Sequence, residues 1–559
     1  MMKKKFKKII GCFLAGTMLA ATLTGCGNET TKESDTQVVS KETESTVVKE
    51  SETQAVVEEG FTYPIDTEET LTVGIVQDAA ISAICKDITE TAFWKHYQER
   101  LGVKLEAIVV ENNNAMSLLL AGGDLPDIIW WRPARYSGGA EQMIADELIA
   151  PLTAEELNEW APDLAAFFES NPDVRKELTS NDGEIIGFPL IYGDEGEYEY
   201  MQTSNGLMAR ADWLKELNMD VPKTPDQFLD MLRAFKNEMG AEVPFVCYSS
   251  DMQVFGNLGF VSSAYGLVNT SLYQVDGKVE CGYASPEYKE VLKFVKTMYD
   301  EGLIAKDFMT TDSTTMKANM YDGTSGSTFG SVGSNMGTWI KEKQAEEPEY
   351  DLVAIPSMTA DGTGRAMYGA QSSRVHQFAA FITPQCDNKE LAAKVLNYGY
   401  SEEGNMFFNF GTEGESYTMV DGKPIYTELV TNNPDGLNMQ QALAQNGRAF
   451  GTGPYVVRKG YMEQYAALPQ QQNAIETWMD NDCLKYMLPN FTVPEENLSE
   501  YSLLSSDIST YKSEMFNKFV TGEVSLDAYE TEYLPTLKQM GLERYLEIVQ
   551  DAVDAFYAK

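Results

Sequence analysis

The sequence predicts an α/β protein of two lobes with a helical C-terminal part. Three observations predict it. The chain has 559 residues, and single hydrophobic cores stop growing beyond roughly 250–300. From residue 71 onward, β-rich runs alternate with amphipathic helical runs, the pattern of βαβ units and a mainly parallel sheet. Beyond about residue 430 the periodicity is mostly helical, broken at Pro469, Pro489 and Pro494.

The elements follow in order. Leu71–Val76 reads as a strand and Thr91–Leu101 as a helix, with Phe93, Trp94, Tyr97 and Leu101 on one side and Gly102 ending it. Val103–Val110 is a second strand, Ala115–Leu120 a short helix and Asp127–Trp131 a third strand. Ala211–Leu217 starts a helical region in which Trp213 packs as core. Thr224 or Asp226 caps a helix reaching about Met239. In Pro286–Glu301, Tyr288, Val291, Leu292, Val295, Met298 and Tyr299 recur at helical spacing, and Gly302 terminates the helix. Residues 311–338, rich in Gly, Ser, Thr and Asn, read as loop. His376–Thr383 reads as a strand ended by Pro384, and Lys389–Tyr398 as a helix.

The N-terminus sets the compartment. A basic run, Lys3 to Lys8, precedes the apolar stretch Ile9–Leu23, which has signal-peptide length and falls short of the roughly 20 apolar residues of a comfortable membrane span. Residues 1–25 are therefore expected to be a signal peptide. Leu23-Thr-Gly-Cys26 follows and resembles the lipobox of bacterial lipoproteins, which implies a lipid on Cys26 and cleavage before it. Two or more acyl chains anchor stably where one does not. Residues 26–60 are an acidic, Ser/Thr-rich tether without hydrophobic period, expected to be disordered.

Composition excludes several classes. A formal net charge of −42 repels nucleic acid. Of seven cysteines, five lie in the folded part, with no C-x-x-C pair, so neither a disulfide framework nor a zinc site is indicated. Only two histidines occur, His96 and His376, which argues against histidine-based metal sites and triads. No loop has EF-hand spacing, and no G-x-S-x-G, H-E-x-x-H or P-loop is present. No cofactor, metal or catalytic residue is predicted.

Five segments carry a resemblance. They are Gly122-Gly-Asp-Leu-Pro-Asp-Ile-Ile129 and Gly183-Glu-Ile-Ile-Gly-Phe-Pro-Leu190; then Leu207–Leu217 with Pro222–Phe228; then Tyr288–Leu303; and Gly411-Thr-Glu-Gly-Glu-Ser-Tyr417 followed by Asp421-Gly-Lys-Pro424. In this order, after a lipobox, they resemble extracellular solute-binding proteins of the type-1, sugar-binding kind, and more narrowly lipoproteins of the LplA/LipO type. The resemblance implies the two-lobe periplasmic-binding-protein fold, type II and maltose-binding-like, with an inter-lobe cleft. It implies a monomer that captures an oligosaccharide for a two-subunit ABC permease with a cytoplasmic ATPase. On this reading lobe 1 comprises residues 66–188 with 370–425, and lobe 2 residues 189–369 with 426–559.

A sugar site needs flat apolar faces and bidentate polar groups. Ligands of α/β sheets sit beyond the carboxyl ends of strands. The run after Ile129 is therefore the leading candidate wall: Trp131, Arg132, Arg135 and Tyr136. Alternation sends Trp130 and Trp131 to opposite sides. The competing reading is that both pack in the core. If Trp131 is the wall, Trp131→Ala weakens binding at least tenfold, about 1.4 kcal/mol, without unfolding. Asp127 reads as structural. Tyr192 and Asp194 come next, near the first lobe crossing, then Phe329 and Trp339 in the glycine-rich run. Phe255, Tyr265 and Trp478 are lesser candidates. Rival functions are capture of a non-sugar solute such as a peptide, with Arg132 or Arg135 meeting its charged ends, a secreted glycoside hydrolase using two carboxylates, and a purely structural surface lipoprotein.

Overall fold

A computed structural model describes residues 61–559 except Ser137, 194–197, 249–251, Phe450 and Thr452. The signal segment, Cys26, the tether and Asp194 lie outside the described residues.

Fourteen strands are described in chain order. They are β1 (Thr70–Val76), β2 (Lys104–Val110), β3 (Ile128–Trp130), β4 (Phe188–Tyr192), β5 (Asn205–Arg210), β6 (Phe245–Val246) and β7 (Leu272–Val275). β8 (Lys278–Cys281), β9 (Ser327–Ser331), β10 (Leu352–Ile355), β11 (Val375–Ile382), β12 (Tyr417–Val420), β13 (Lys423–Tyr426) and β14 (Tyr455–Val457) follow. Two sheets organise the lobes: six strands in the order β14-β4-β11-β3-β1-β2, and four in the order β10-β5-β9-β6. In the first, β1 runs parallel to β2 and β3, β14 parallel to β4, and β11 antiparallel to β3 and β4. The carboxyl ends of five strands thus share an edge with the start of β11.

The βαβ reading of residues 70–130 holds. Thr91 caps the helix Ala92–Leu101, its hydroxyl accepting from the Trp94 amide at 3.2 Å, and Gly102 closes it at φ 71°. Phe93, Trp94 and Tyr97 are buried. Tyr97 and Trp94 meet Trp130 at ring centroid distances of 6.1 and 6.3 Å, and Phe408 joins from a distant helix at 5.4 Å from Tyr97. Rings of this size, fully buried, contribute on the order of 2–3 kcal/mol each. Asp127 is structural: its carboxylate accepts from the Thr72 amide and hydroxyl, both at 2.7 Å, and ties β3 to β1.

In the second lobe the helix Pro225–Asn237, capped by Thr224, and the helix Tyr288–Asp300 bury Phe228, Phe235, Phe294 and Val295. Trp213 is core, edge-on to Phe235 at 5.2 Å. The loop expected over 311–338 is corrected. It holds a helix, Ser313–Asp322, capped by Asp312 and burying Met316 and Met320, and then β9, inside the four-stranded sheet. The polar residues mislead because the backbone ladder and local hydrogen bonds satisfy them: the Ser327 hydroxyl donates to Pro244 O at 3.0 Å.

The C-terminal part is helical, dominated by Glu495–Thr521 and Leu542–Ala558, with one departure. β14, in the segment assigned by sequence to lobe 2, pairs with β4 in the six-stranded sheet. A three-residue strand joined by a long-range parallel pairing leaves no periodic signal. Residues 198–204 and 356–374 lie along the chain between strands of different sheets, and they bond to each other: Gln202 Nε2 donates to Ser372 O at 2.6 Å, and Ser372 N to Gln202 O at 2.9 Å.

Candidate ligand site between the sheets

Where the strand ends of the two sheets face each other there is a cavity of ≈ 220 Å³. The six-stranded sheet contributes Arg132 just past β3, Tyr192 at the end of β4, His376 at the start of β11 and Val457 at the end of β14. The four-stranded sheet contributes Ser331 from β9 and Ser204 just before β5. These two are adjacent because β5 and β9 are antiparallel, with Asn205 opposite Ser331. The helix Lys459–Tyr465 closes the cavity with Tyr461 and Tyr465.

Local chemistry sets these positions. Tyr192 is held by its amide, which donates to Arg374 O at 2.9 Å, and its ring lies 5.2 Å from the His376 ring. Tyr461 and Tyr465, one helical turn apart, lie 5.5 Å between ring centroids, tilted by 30°. The Ser331 hydroxyl accepts from the amides of Ser334 and Asn335 at 3.1 and 3.3 Å, turning the chain after β9. Gly333 presses against Tyr465: a Cβ there would fall 2.0 Å from the ring, so only glycine allows this approach.

The electrostatics are those of a neutral polar site with one cation. Burial and the neighbouring Arg132 guanidinium push the His376 imidazole down to about 4, so it is neutral at physiological pH, one nitrogen donating and the other accepting. Burial raises the phenols of Tyr192, Tyr461 and Tyr465, which keeps them protonated donors. Burial and Arg135 lower Arg132, which nonetheless stays cationic. Among the described residues no carboxylate lines this cavity. Among them, too, no cluster of three or more His, Cys, Asp or Glu could hold a metal ion.

The His376 shift has a measurable consequence. Its folded value lies below the ordinary 6.5, so between about pH 4 and 6.5 the folded chain binds fewer protons than the unfolded one. Stability contributed by the neutral ring is full above that window and is lost as pH falls through it. We expect His376→Gln to flatten this acid limb of the stability curve, measured by urea unfolding, by about 2–3 kcal/mol.

The sequence-predicted residues divide. Arg132 and Tyr192 line the cavity. Arg135 and Tyr136 line a second, larger cavity. Trp131 corrects its expectation: it is 4 % exposed, packed with Met116, Leu120, Met143 and Phe381 on the face opposite Trp130, its indole N–H donating to Asn113 Oδ1 at 2.9 Å. A ring so enclosed has no face for a sugar. Phe255 is likewise core, 5.1–5.7 Å from Phe228, Phe245 and Phe294. Trp339 is buried against Tyr321, and Phe329 against Phe260. Trp478 is buried beneath Gly206, and Tyr265 stands apart from the cavity. Sequence reasoning missed His376, Tyr461 and Tyr465. The available signals were a histidine opening a strand and the aromatic i, i+4 pair in Lys459-Gly-Tyr-Met-Glu-Gln-Tyr465.

A two-sheet fold with a polar, aromatic-walled cavity at facing strand ends defines a binding protein. The chain belongs to the bacterial extracellular solute-binding protein family, which matches residues 79–406. It is 24% identical over 533 residues to the fructooligosaccharide ABC transporter substrate-binding protein FusA of Streptococcus pneumoniae, covering 89% of this chain and 93% of that one. It is 26% identical over 313 residues to lipoprotein LipO of Bacillus subtilis, covering 52% and 60%. Among solved structures, alginate-binding protein AlgQ2 without calcium ion superposes with a TM-score of 0.73 at 24% identity, over 89% of this chain and 100% of that one. An EF-hand mutant of S. pneumoniae FusA in complex with fructo-nystose gives 0.71 at 20% identity, over 88% and 100%. These likenesses confirm the two-lobe α/β architecture. Among the described residues no helix is long and apolar enough to cross a membrane.

Proposed function

We propose that the chain is the substrate-binding lipoprotein of an ABC importer, capturing an oligosaccharide outside the cell and passing it to the permease, without making or breaking a bond. The observation that carries this reading is the composition of the inter-sheet cavity. Tyr192 and Tyr465, both partly exposed, offer ring faces to sugar C–H patches. Arg132, neutral His376, Ser204, Ser331 and Gln440 offer donors and acceptors matched to hydroxyls. A peptide would ask for charges of both signs at its ends, and the described cavity residues supply one cation only. Hydrolysis of a glycan would ask for a facing carboxylate pair. The relatives add support, since FusA is named for fructooligosaccharides and AlgQ2 for alginate.

Isothermal titration against glycan and peptide panels tests the function. Binding of at least one glycan, unaltered on recovery, and of no peptide is expected; capture of peptides alone, or turnover of the glycan, would refute it. We further propose that the mature chain is a monomer tethered by lipid on Cys26 to the outer face of the membrane. It then serves a two-subunit permease driven by a cytoplasmic ATPase. Cys26→Ala is expected to move the protein from the membrane fraction to the medium or to leave it unprocessed, and to abolish labelling by a fatty-acid probe. Undiminished labelling would refute the anchor.

A further inference from the structure

The cavity between the sheets holds ≈ 220 Å³, below the roughly 300–1,000 Å³ of ordinary ligand pockets. An oligosaccharide needs more room. A second cavity of ≈ 730 Å³ lies beside it, and the two share their partition. Arg132 lines the first; Arg135 and Tyr136, one short turn further on, line the second. His376 lines the first and its neighbour Val375 the second, as successive strand residues point to opposite faces.

The far wall of the second cavity is the helix Glu495–Thr521. It turns Ser502, Ser505, Ser506 and Ser509 toward the cavity, a spacing that places all four on one helix face. A helix facing the body of its own protein ordinarily shows an apolar stripe there. Hydroxyls on that face suit polar contents. Tyr136, Phe491 and Tyr501 add ring faces, and Asn490 adds an amide. Asn490 and Ser373 donate to the Glu177 carboxylate, which is pushed up to about 7, chiefly by burial.

We propose that the two cavities are compartments of one groove. The first takes the end of a glycan. The second takes the following sugar units, which cross the Arg132–Tyr136 segment. The inference rests on the oligosaccharide reading above and extends it to ligand length.

Calorimetry on the full chain tests this with di- to hexasaccharides of the inulin, malto- and xylo- series and with oligogalacturonides. In the series that binds, affinity is expected to rise at least tenfold from di- to tetrasaccharide. Ser506→Leu with Ser509→Leu, at exposed positions where leucine favours helix more than serine, should remove that gain and leave disaccharide binding unchanged. Arg135→Ala serves as a second variant, expected to cost long ligands more than short ones, and Tyr192→Ala should weaken short and long ligands alike. Affinity independent of length, equal loss at both lengths in the serine and Arg135 variants, or no loss in either would each overturn the proposal. Failure of every series to bind would instead overturn the oligosaccharide reading on which it stands.

Discussion

Trp131→Ala is expected to destabilise the folded chain by about 3–5 kcal/mol, the usual cost of emptying a buried aromatic site. The indole fills the pocket between Met116, Leu120, Met143, Ile149 and Phe381, and its N–H bonds to Asn113 Oδ1. Alanine would leave a cavity on one face of the six-stranded sheet and strand the Asn113 oxygen's partner position. Urea unfolding should show the loss as a lower midpoint with little change in slope. A variant of native stability that bound glycan tenfold more weakly would return Trp131 to the ligand wall.

Arg132→Ala is expected to act in the opposite way, sparing the fold and costing at least 2 kcal/mol of ligand binding, about thirtyfold. The guanidinium is half-buried at the edge of β3 and lines the cavity with Tyr192 and His376. Its planar fork can bridge two neighbouring hydroxyls. The change has a second, independent readout. Arg132 is one of the two causes holding the His376 imidazole down, so the ring's titration, followed by NMR, should move upward in Arg132→Ala. An unmoved titration together with full affinity would place Arg132 outside the site.

The two substitutions concern adjacent residues, and their contrast shows what could be read along the chain. Periodicity announced β1, β2, β3 and the helices between them, because each element buries one face and its apolar spacing records that face. Alternation also foretold that Trp130 and Trp131 would part to opposite sides, which they do. It could not tell which side was cleft and which was core. Both sides of this sheet are covered by helices, so an apolar ring is in place on either. The same ambiguity placed Phe255, Phe329 and Trp339 among site residues, whereas they pack inside the second lobe. β9 went unread because Ser327 and Thr328 satisfy their hydroxyls within the sheet and carry no apolar alternation.

The sequence by itself determined the class: a chain with lipobox-like residues before a Ser/Thr-rich stretch, two lobes of alternating strand and helix, and the ordered segments of a solute-binding family. These are local properties, written in neighbouring residues and in the spacing of apolar positions. Only the tertiary structure decided which side chains meet. His376, Tyr192, Tyr461 and Ser331 lie far apart along the chain, and they converge because β11 runs antiparallel to its neighbours, β14 returns to pair with β4, and β9 ends opposite β5. Strand pairing over such separations is fixed by the packing of the whole lobe, and no short stretch of residues encodes it.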